Sequence, residues 1–197
     1  AINSGQVCNA LKRVFIHESI AQQFIERAVK VSSGLTIGDP MQSPDMGPLV
    51  SRMQMERVLD FIEDARQRGA KILTGGKRID KPGFFIEHTL ISDIPSGTRC
   101  LTEEPFGPIL PIITYSRIED AISQANSTPF GLTASVWGKS YDQCIKIARD
   151  LIVGTVSINS HAAGSPGAPW GGAKESGIGR MKTKEGLREF TNIKLIR

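Results

Sequence analysis

The chain has 197 residues, of which 40% are hydrophobic and 22% charged, and its 24 basic and 20 acidic side chains give a formal net charge of +4. This composition is typical of a globular protein of one domain, or of one domain with a small appendage. The basic residues are scattered among acidic ones, which argues against a nucleic-acid-binding surface, and no apolar run reaches the length of a membrane span.

Strands and helices alternate in the predicted secondary structure. Apolar residues at helical spacing predict helices over about 20–29, 51–68, 118–126 and 140–151, and a short helix that starts at Thr183. Short apolar runs predict strands over 14–16, 70–74, 84–91, 109–113, 132–137, 154–159 and 191–196. Ser19, Ser51 and Ser140 are the predicted N-caps. This alternation predicts an α/β fold with a largely parallel sheet.

The first stretch with chemical character is Asn3-Ser4-Gly5-Gln6-Val7-Cys8. Gly5 allows a sharp bend, and residues 8–12 suit the start of a short helix that leads into the strand at 14–16. The helix dipole favours the thiolate form of a cysteine at a helix N-terminus. Our hypothesis is therefore that Cys8 is an activated nucleophile, and the alternative for an isolated cysteine is an inert core residue.

The number and spacing of the cysteines indicate the cellular compartment and whether a metal site is present. Cys8, Cys100 and Cys144 stand far apart, without a Cys-x-x-Cys pair or a histidine spacing suited to zinc, so no metal site is predicted. An odd, sparse count favours a reducing compartment, and we predict a cytoplasmic protein. No Gly-x-Gly-x-x-Gly follows a strand and no Walker motif occurs, so the sequence predicts no complete nucleotide-binding unit.

Four ordered segments together resemble a known family. They are Asn3-x-Gly5-Gln6-x-Cys8, Met46-Gly47-Pro48-Leu49, Glu103-Glu104-Pro105-Phe106-Gly107-Pro108 and Pro169-Trp170-Gly171-Gly172-x-Lys174-x-Ser176-Gly177-x-Gly179-Arg180. Over essentially the whole chain, they resemble the catalytic half of the aldehyde dehydrogenase superfamily with its C-terminal tail. The resemblance implies a three-layer α/β/α catalytic domain over 1–190 and a C-terminal strand over 191–197 that pairs with another subunit in a homodimer or homotetramer.

The resemblance also implies an activity and residue roles. It implies oxidation of an aldehyde to a carboxylic acid with NAD or NADP, through a thiohemiacetal and a thioester on Cys8. Glu104 aligns with the carboxylate that binds the nicotinamide-ribose hydroxyls, and Phe106 aligns with the ring packed beside the nicotinamide. Gln54 and Arg57 align with helix positions that reach the cofactor ribose. Taken alone, the Glu103-Glu104 pair is more typical of an exposed acidic turn.

The Gly/Ser/Pro-rich loop from Ser160 to Gly167 lies where the family places its aldehyde-binding loop. The resemblance assigns His161, Ser165 and Trp170 to the substrate, although an exposed loop histidine is the simpler interpretation of His161. The small loop residues and the indole predict a mainly apolar pocket, and no arginine of this loop is present to grip a substrate carboxylate.

In the family, the general base (a glutamate) and an oxyanion-binding asparagine lie upstream of the cysteine, as does most of the cofactor-binding domain. We therefore expect the chain to be part of a longer protein and to be inactive as a dehydrogenase in isolation. Alternatives stay open: a thioester passed to coenzyme A, a thiol acyl-transferase or esterase, and a non-catalytic interaction scaffold. The predicted partner is an aldehyde substrate, with no nucleic acid and no membrane.

Overall fold

The computed structural model describes residues 2–161 and 167–197. The chain divides into two compact units, Ala1–Ala121 and Ile122–Arg197. None of the described helices is long and apolar enough to span a bilayer. The domain limits proposed from the sequence, 1–190 and 191–197, stay a prediction.

The first unit is built on a four-stranded sheet with two long helices. Its sheet has the strand order β1-β4-β3-β2, in which β4 runs parallel to both β1 and β3 while β2 runs antiparallel to β3. The elements are β1 (Val14–His17), α1 (Glu18–Ser33), α2 (Arg52–Gln67), β2 (Lys71–Thr74), β3 (Thr89–Ser92), β4 (Ile109–Tyr115) and α3 (Ile118–Asn126), which continues into the second unit.

Helix α2 shows why this unit has a closed core. Ser51 caps it as predicted, because its side chain accepts a hydrogen bond from the backbone N–H of Gln54. Apolar residues repeat at helical spacing along one face, and this face is buried in the core: Met55, Val58, Phe61, Ile62 and Ala65. Helix α2 therefore packs its apolar face into the core of the unit, and its polar face is available to contact neighbouring loops.

Helix α1 begins earlier than predicted, and Ser19 is not its cap. The cap is His17, whose Nδ1 accepts a hydrogen bond from the backbone N–H of Ser19 at 3.2 Å. The reason is that β1 ends at His17 and the helix begins at the next residue, so no linker separates them. The His17 ring also makes an edge contact with Tyr115, with centroids 5.4 Å apart.

The described part of the second unit contains two short pairs of strands and two helices of its own. Strands β6 and β7 are parallel, and β5 and β8 are antiparallel. Ser140 caps α4, as predicted, and Thr183, predicted as the start of a short helix, is the cap of α5. The elements are β5 (Phe130–Gly131), β6 (Thr133–Val136), α4 (Tyr141–Asp150), β7 (Thr155–Ile158), β8 (Ala173–Lys174) and α5 (Lys184–Arg188). Helices that alternate with mostly parallel strands confirm the predicted α/β class.

Two predicted strands differ from the structure. The strand predicted over 84–91 forms only from Thr89 to Ser92, preceded by an isolated bridge between Ile86 and Arg78. Residues 191–197 are exposed and pair with no strand among the described residues. Because the partner predicted for this segment is another subunit, its pairing stays a prediction.

Candidate active site

The turn before Cys8 is left-handed over three residues in succession. Asn3, Ser4 and Gly5 have φ angles of 50°, 55° and 75°. Such a conformation is strained for a serine and persists only where neighbouring groups fix it. Here the backbone N–H of Gln6 donates to the carbonyl of Asn3 at 3.0 Å, and the buried Ser4 hydroxyl donates to the carbonyl of Gly47 at 2.8 Å.

The cysteine segment packs directly against the loop that carries the acidic pair. A Cβ added to Gly5 would overlap the carbonyl oxygen of Gly107, so the two backbones approach as closely as only glycine permits. The side-chain oxygen of Gln6 also accepts a hydrogen bond from the backbone N–H of Val50 at 3.0 Å. Three of the segments singled out in the sequence therefore meet in the first unit.

Cys8 does not begin a helix, and this corrects the sequence-based expectation. Residues 7–10 form a single turn, closed by a hydrogen bond from the Ala10 N–H to the Val7 carbonyl at 3.0 Å. Strand β1 begins at Val14, which leaves too few residues for the further turns that stabilise a helix. A helix dipole therefore does not act on the thiol. Cys8 is nevertheless exposed, whereas Cys100 and Cys144 are buried.

The two glutamates of the acidic pair have different surroundings. Glu103 is exposed, and its carboxylate accepts two hydrogen bonds from the Arg99 guanidinium at 3.0 and 3.2 Å. Glu104 is half-buried, and its backbone carbonyl accepts a hydrogen bond from Arg57 at 3.2 Å. Glu103 is thus part of an ordinary surface ion pair, whereas Glu104 is partly covered by protein.

Helix α2 binds the loop over residues 103–108, which we call the acidic loop, through the side chain of Gln54. The side-chain amide of Gln54 donates to the carbonyls of Pro105 and Phe106 at 2.8 and 2.7 Å. These bonds fix Phe106 in a left-handed conformation, with φ of 47°. Gln54 and Arg57 therefore bind the loop that carries Glu104 and Phe106, and their direct contact with a cofactor stays a prediction.

Lys12 is a member of this site that the sequence analysis missed. Its Nζ is buried, has no hydrogen-bond partner among the described residues, and lies 4.2 Å from the centroid of the Phe106 ring. Burial lowers the pKa of Lys12, while the negative charges of Glu104 and Cys8 oppose that shift. A lysine between a turn and a strand is typical of the surface, so no local signal in the sequence indicates a buried ammonium.

The residues assigned to the substrate lie in the second unit. His161 is exposed, with its Nδ1 3.4 Å from the hydroxyl of Ser135. Trp170 is half-buried and forms a backbone bridge with Met181, through hydrogen bonds of 3.0 and 2.7 Å. Ser165 lies outside the described residues. Within the described ranges, no cluster of His, Cys, Asp and Glu side chains is arranged to hold a metal ion.

Comparisons with known proteins match the chain along its whole length. Residues 1–196 match the aldehyde dehydrogenase family. The chloroplastic betaine aldehyde dehydrogenase of Amaranthus hypochondriacus is 41% identical over 196 residues, which are 98% of this chain and 39% of that protein. Retinaldehyde dehydrogenase 3 of Mus musculus is 38% identical over 195 residues, 98% of this chain and 38% of that protein.

A solved structure shows the same likeness in three dimensions. The NAD+ complex of an aldehyde dehydrogenase from Bacillus cereus superposes with a TM-score of 0.93 and 35% sequence identity, over 97% of this chain and 39% of that one. The chain therefore spans about two fifths of the length of the relatives that it matches.

Proposed function

Because this chain belongs to the aldehyde dehydrogenase family, we propose that it carries the thiol and part of the cofactor site of an enzyme that oxidises an aldehyde to a carboxylic acid. The observation that carries the proposal is the exposed Cys8, held on a left-handed turn against the loop of Glu104 and Phe106. A nucleophile and a polar loop held together by backbone contacts are suited to one reaction centre.

The proposed reaction begins when the Cys8 thiolate adds to the aldehyde carbonyl carbon. A C–S bond forms, and the carbonyl π electrons move to oxygen, where backbone N–H donors stabilise the oxyanion. As the C=O bond re-forms, the carbon loses its hydride, which NAD(P)+ accepts, and a thioester remains on Cys8. Attack by water on the thioester releases the acid and returns the thiol. The base for that last step belongs to the part of the enzyme upstream of the cysteine.

Glu104 and Phe106 are the residues that we propose hold the nicotinamide nucleoside. A carboxylate offers two acceptor oxygens, which suits a pair of vicinal ribose hydroxyls. Glu104 is half-buried on the loop that packs against the cysteine segment, whereas the adjacent Glu103 is bound to Arg99. The chemistry of Glu104 and Phe106 therefore fits the nicotinamide half of NAD or NADP, and it does not discriminate between the two.

We assign the substrate contacts to His161, Ser165 and Trp170 on the loop of the second unit. The half-buried indole offers a large apolar surface with one donor, which suits an apolar or aromatic aldehyde. The relatives reported above are named for betaine aldehyde and for retinaldehyde. Their names support an aldehyde as the substrate class but do not identify which aldehyde this protein oxidises.

We also propose a homodimer or homotetramer built through residues 191–197. Ile193, Leu195 and Ile196 are exposed large apolar side chains in this segment. An unpaired apolar segment at a chain end is suited to strand addition onto a second copy. Light scattering after size-exclusion chromatography tests this. From the few, widely spaced cysteines we propose a reducing compartment such as the cytoplasm. The Amaranthus hypochondriacus relative is named as a chloroplastic enzyme.

The test of the proposed function is Cys8→Ala in the full-length protein, with Cys144→Ala as the matched control. We expect Cys8→Ala to reduce NAD(P)H formation with a panel of aldehydes by at least about a thousandfold, since no other group forms the thioester. Turnover by Cys144→Ala should stay near wild type, because Cys144 is buried on helix α4. Retained turnover in Cys8→Ala overturns the assignment. Turnover that requires coenzyme A would favour the acylating alternative.

A further inference from the structure

We infer that Lys12 is the counter-charge that lets a thiolate at Cys8 and a carboxylate at Glu104 stand side by side in the active site. This inference rests on the proposed function, because it explains how two anions of that function coexist. Lys12 acts through these two groups and through Phe106, so it is a positioning residue.

The first support is the unusual burial of the Lys12 ammonium. Its Nζ is covered by protein and has no hydrogen-bond partner among the described residues. Burying a charge without a partner is costly, so such a group persists where nearby charges or an aromatic face compensate it. The Phe106 ring provides one such face, with its centroid 4.2 Å from Nζ.

The second support is the sign of the charges around Lys12. Burial lowers the pKa of Lys12, and a negative charge on Glu104 or on Cys8 acts in the opposite direction. The neighbouring cation, Arg13, packs over the Phe15 ring with its guanidinium carbon 5.5 Å from the centroid. Lys12 thus lies on the segment of Cys8, four residues after it, and against the ring of Phe106, two residues after Glu104.

The third support is that the site needs such a charge. Two anions close together repel, and a cation near both favours the charged form of each. The helix dipole that was expected to act on Cys8 is absent, because residues 7–10 form only a single turn. Lys12 supplies from a side chain the positive charge that a helix N-terminus supplies elsewhere.

The test is the rate at which iodoacetamide alkylates Cys8 at neutral pH in the full-length protein, followed by peptide mass spectrometry. We expect Lys12→Met to slow alkylation about fivefold, because the charge of Glu104 then acts on the thiol unopposed. Lys12→Arg should retain the rate within about twofold. Lys71→Met, on the exposed start of β2, is the matched control and should leave the rate unchanged.

The decisive variant is the double substitution Lys12→Met with Glu104→Gln. Removing the opposite charge should restore alkylation to within about twofold of wild type, which a merely structural role of Lys12 would not produce. An unchanged rate in Lys12→Met, or a double variant as slow as Lys12→Met, overturns the inference.

Folding is monitored in the same digest, because the buried Cys100 and Cys144 become alkylated if the chain loosens. If Lys12→Met exposes them, Glu104→Gln alone decides: it speeds Cys8 alkylation under the inference, and an unchanged rate contradicts it. Alkylation requires no turnover. The fate of this inference is therefore separate from the loss of dehydrogenase activity in Cys8→Ala, which tests the proposed function itself.

Discussion

The two compact units of this chain bury their apolar side chains to different degrees. In the first unit, one cluster around Phe61 is closed to solvent and joins helix α2 to the sheet. In the second unit, the buried apolar side chains among the described residues are Val136 and Cys144. Exposed large apolar side chains are numerous there: Trp137, Tyr141, Ile152, Ile178, Met181, Leu187, Phe190, Ile193, Leu195 and Ile196.

This contrast separates the chemistry that we propose into two kinds of scaffold. The thiol and the carboxylate that we propose binds the ribose lie on the unit with the closed core, where backbone contacts and the side chain of Gln54 fix their loops. The residues assigned to the substrate lie on the unit with the exposed apolar surface. The proposed reaction centre thus lies on a unit with a closed core, and the proposed substrate residues lie on a unit whose exposed apolar surface is suited to further packing.

The largest expected difference between the units concerns their aromatic residues. Phe61 is 0% exposed and Trp137 is 66% exposed. We expect Phe61→Ala to lower the free energy of unfolding by about 3–5 kcal/mol through the cavity it leaves, and Trp137→Ala to change it by less than about 1 kcal/mol. Urea unfolding followed by far-UV circular dichroism measures both. An equal loss of unfolding free energy in the two variants would contradict this difference between the units.

The close approach of the cysteine segment to the acidic loop is tested at Gly5. It has φ of +75° and no room for a Cβ, whereas Gly69 has φ of +92° with nothing within 4 Å of an added Cβ. We expect Gly5→Ala to destabilise the chain by about 3 kcal/mol and Gly69→Ala by about 1 kcal/mol, because only the first adds a steric overlap to the conformational strain. Similar urea midpoints for the two variants would show that the two loops do not approach this closely.

Support of the acidic loop by helix α2 is tested at Gln54. We expect Gln54→Ala to lower the free energy of unfolding by about 1–2 kcal/mol, since two backbone carbonyls lose their donor. In the full-length protein, the KM for NAD(P)+ should rise as the loop of Glu104 moves. The control is Gln67→Ala on the same helix, whose exposed amide donates to the Glu63 carboxylate. An unchanged KM in Gln54→Ala would refute this role of the glutamine.

The smallest expected effect is a pH dependence at His88. Its Nδ1 lies 2.7 Å from the Ser32 hydroxyl, and burial lowers its pKa below the ordinary value of 6.5. The unfolded chain therefore binds a proton more readily, so the contribution of neutral His88 to stability is present above about pH 6.5 and is lost as the pH falls towards the folded-state pKa. His88→Gln should flatten the decline of the urea midpoint between pH 6.5 and pH 5. A slope equal to that of wild type would contradict this.

The sequence predicted most of the fold because its helices carry local signals. Helix α3 has the predicted bounds, and α2 and α4 agree within about a residue, since a serine cap precedes an apolar repeat in both. The two-residue strands β5 and β8 were missed, because two residues carry no periodicity.

The site was harder to predict, because its contacts join distant segments. The helix expected at Cys8 followed from the propensities of Ala10 and Leu11, which the short distance to β1 overrides. The burial of Lys12 depends on the loop of Phe106, and no local pattern in the sequence encodes that contact. The different surroundings of Glu103 and Glu104 likewise arise only from tertiary packing.

The central claim is that Cys8 forms a covalent acyl intermediate, and its most direct test is mass spectrometry of the acid-quenched full-length protein. After mixing with an aldehyde and NAD+, the peptide that contains Cys8 should gain the mass of the acyl group, while those of Cys100 and Cys144 should not. Omission of NAD+ should abolish the adduct, because hydride loss creates the thioester. Steady turnover with an acyl group on another residue, or with no adduct on Cys8 at any quench time, would contradict the account.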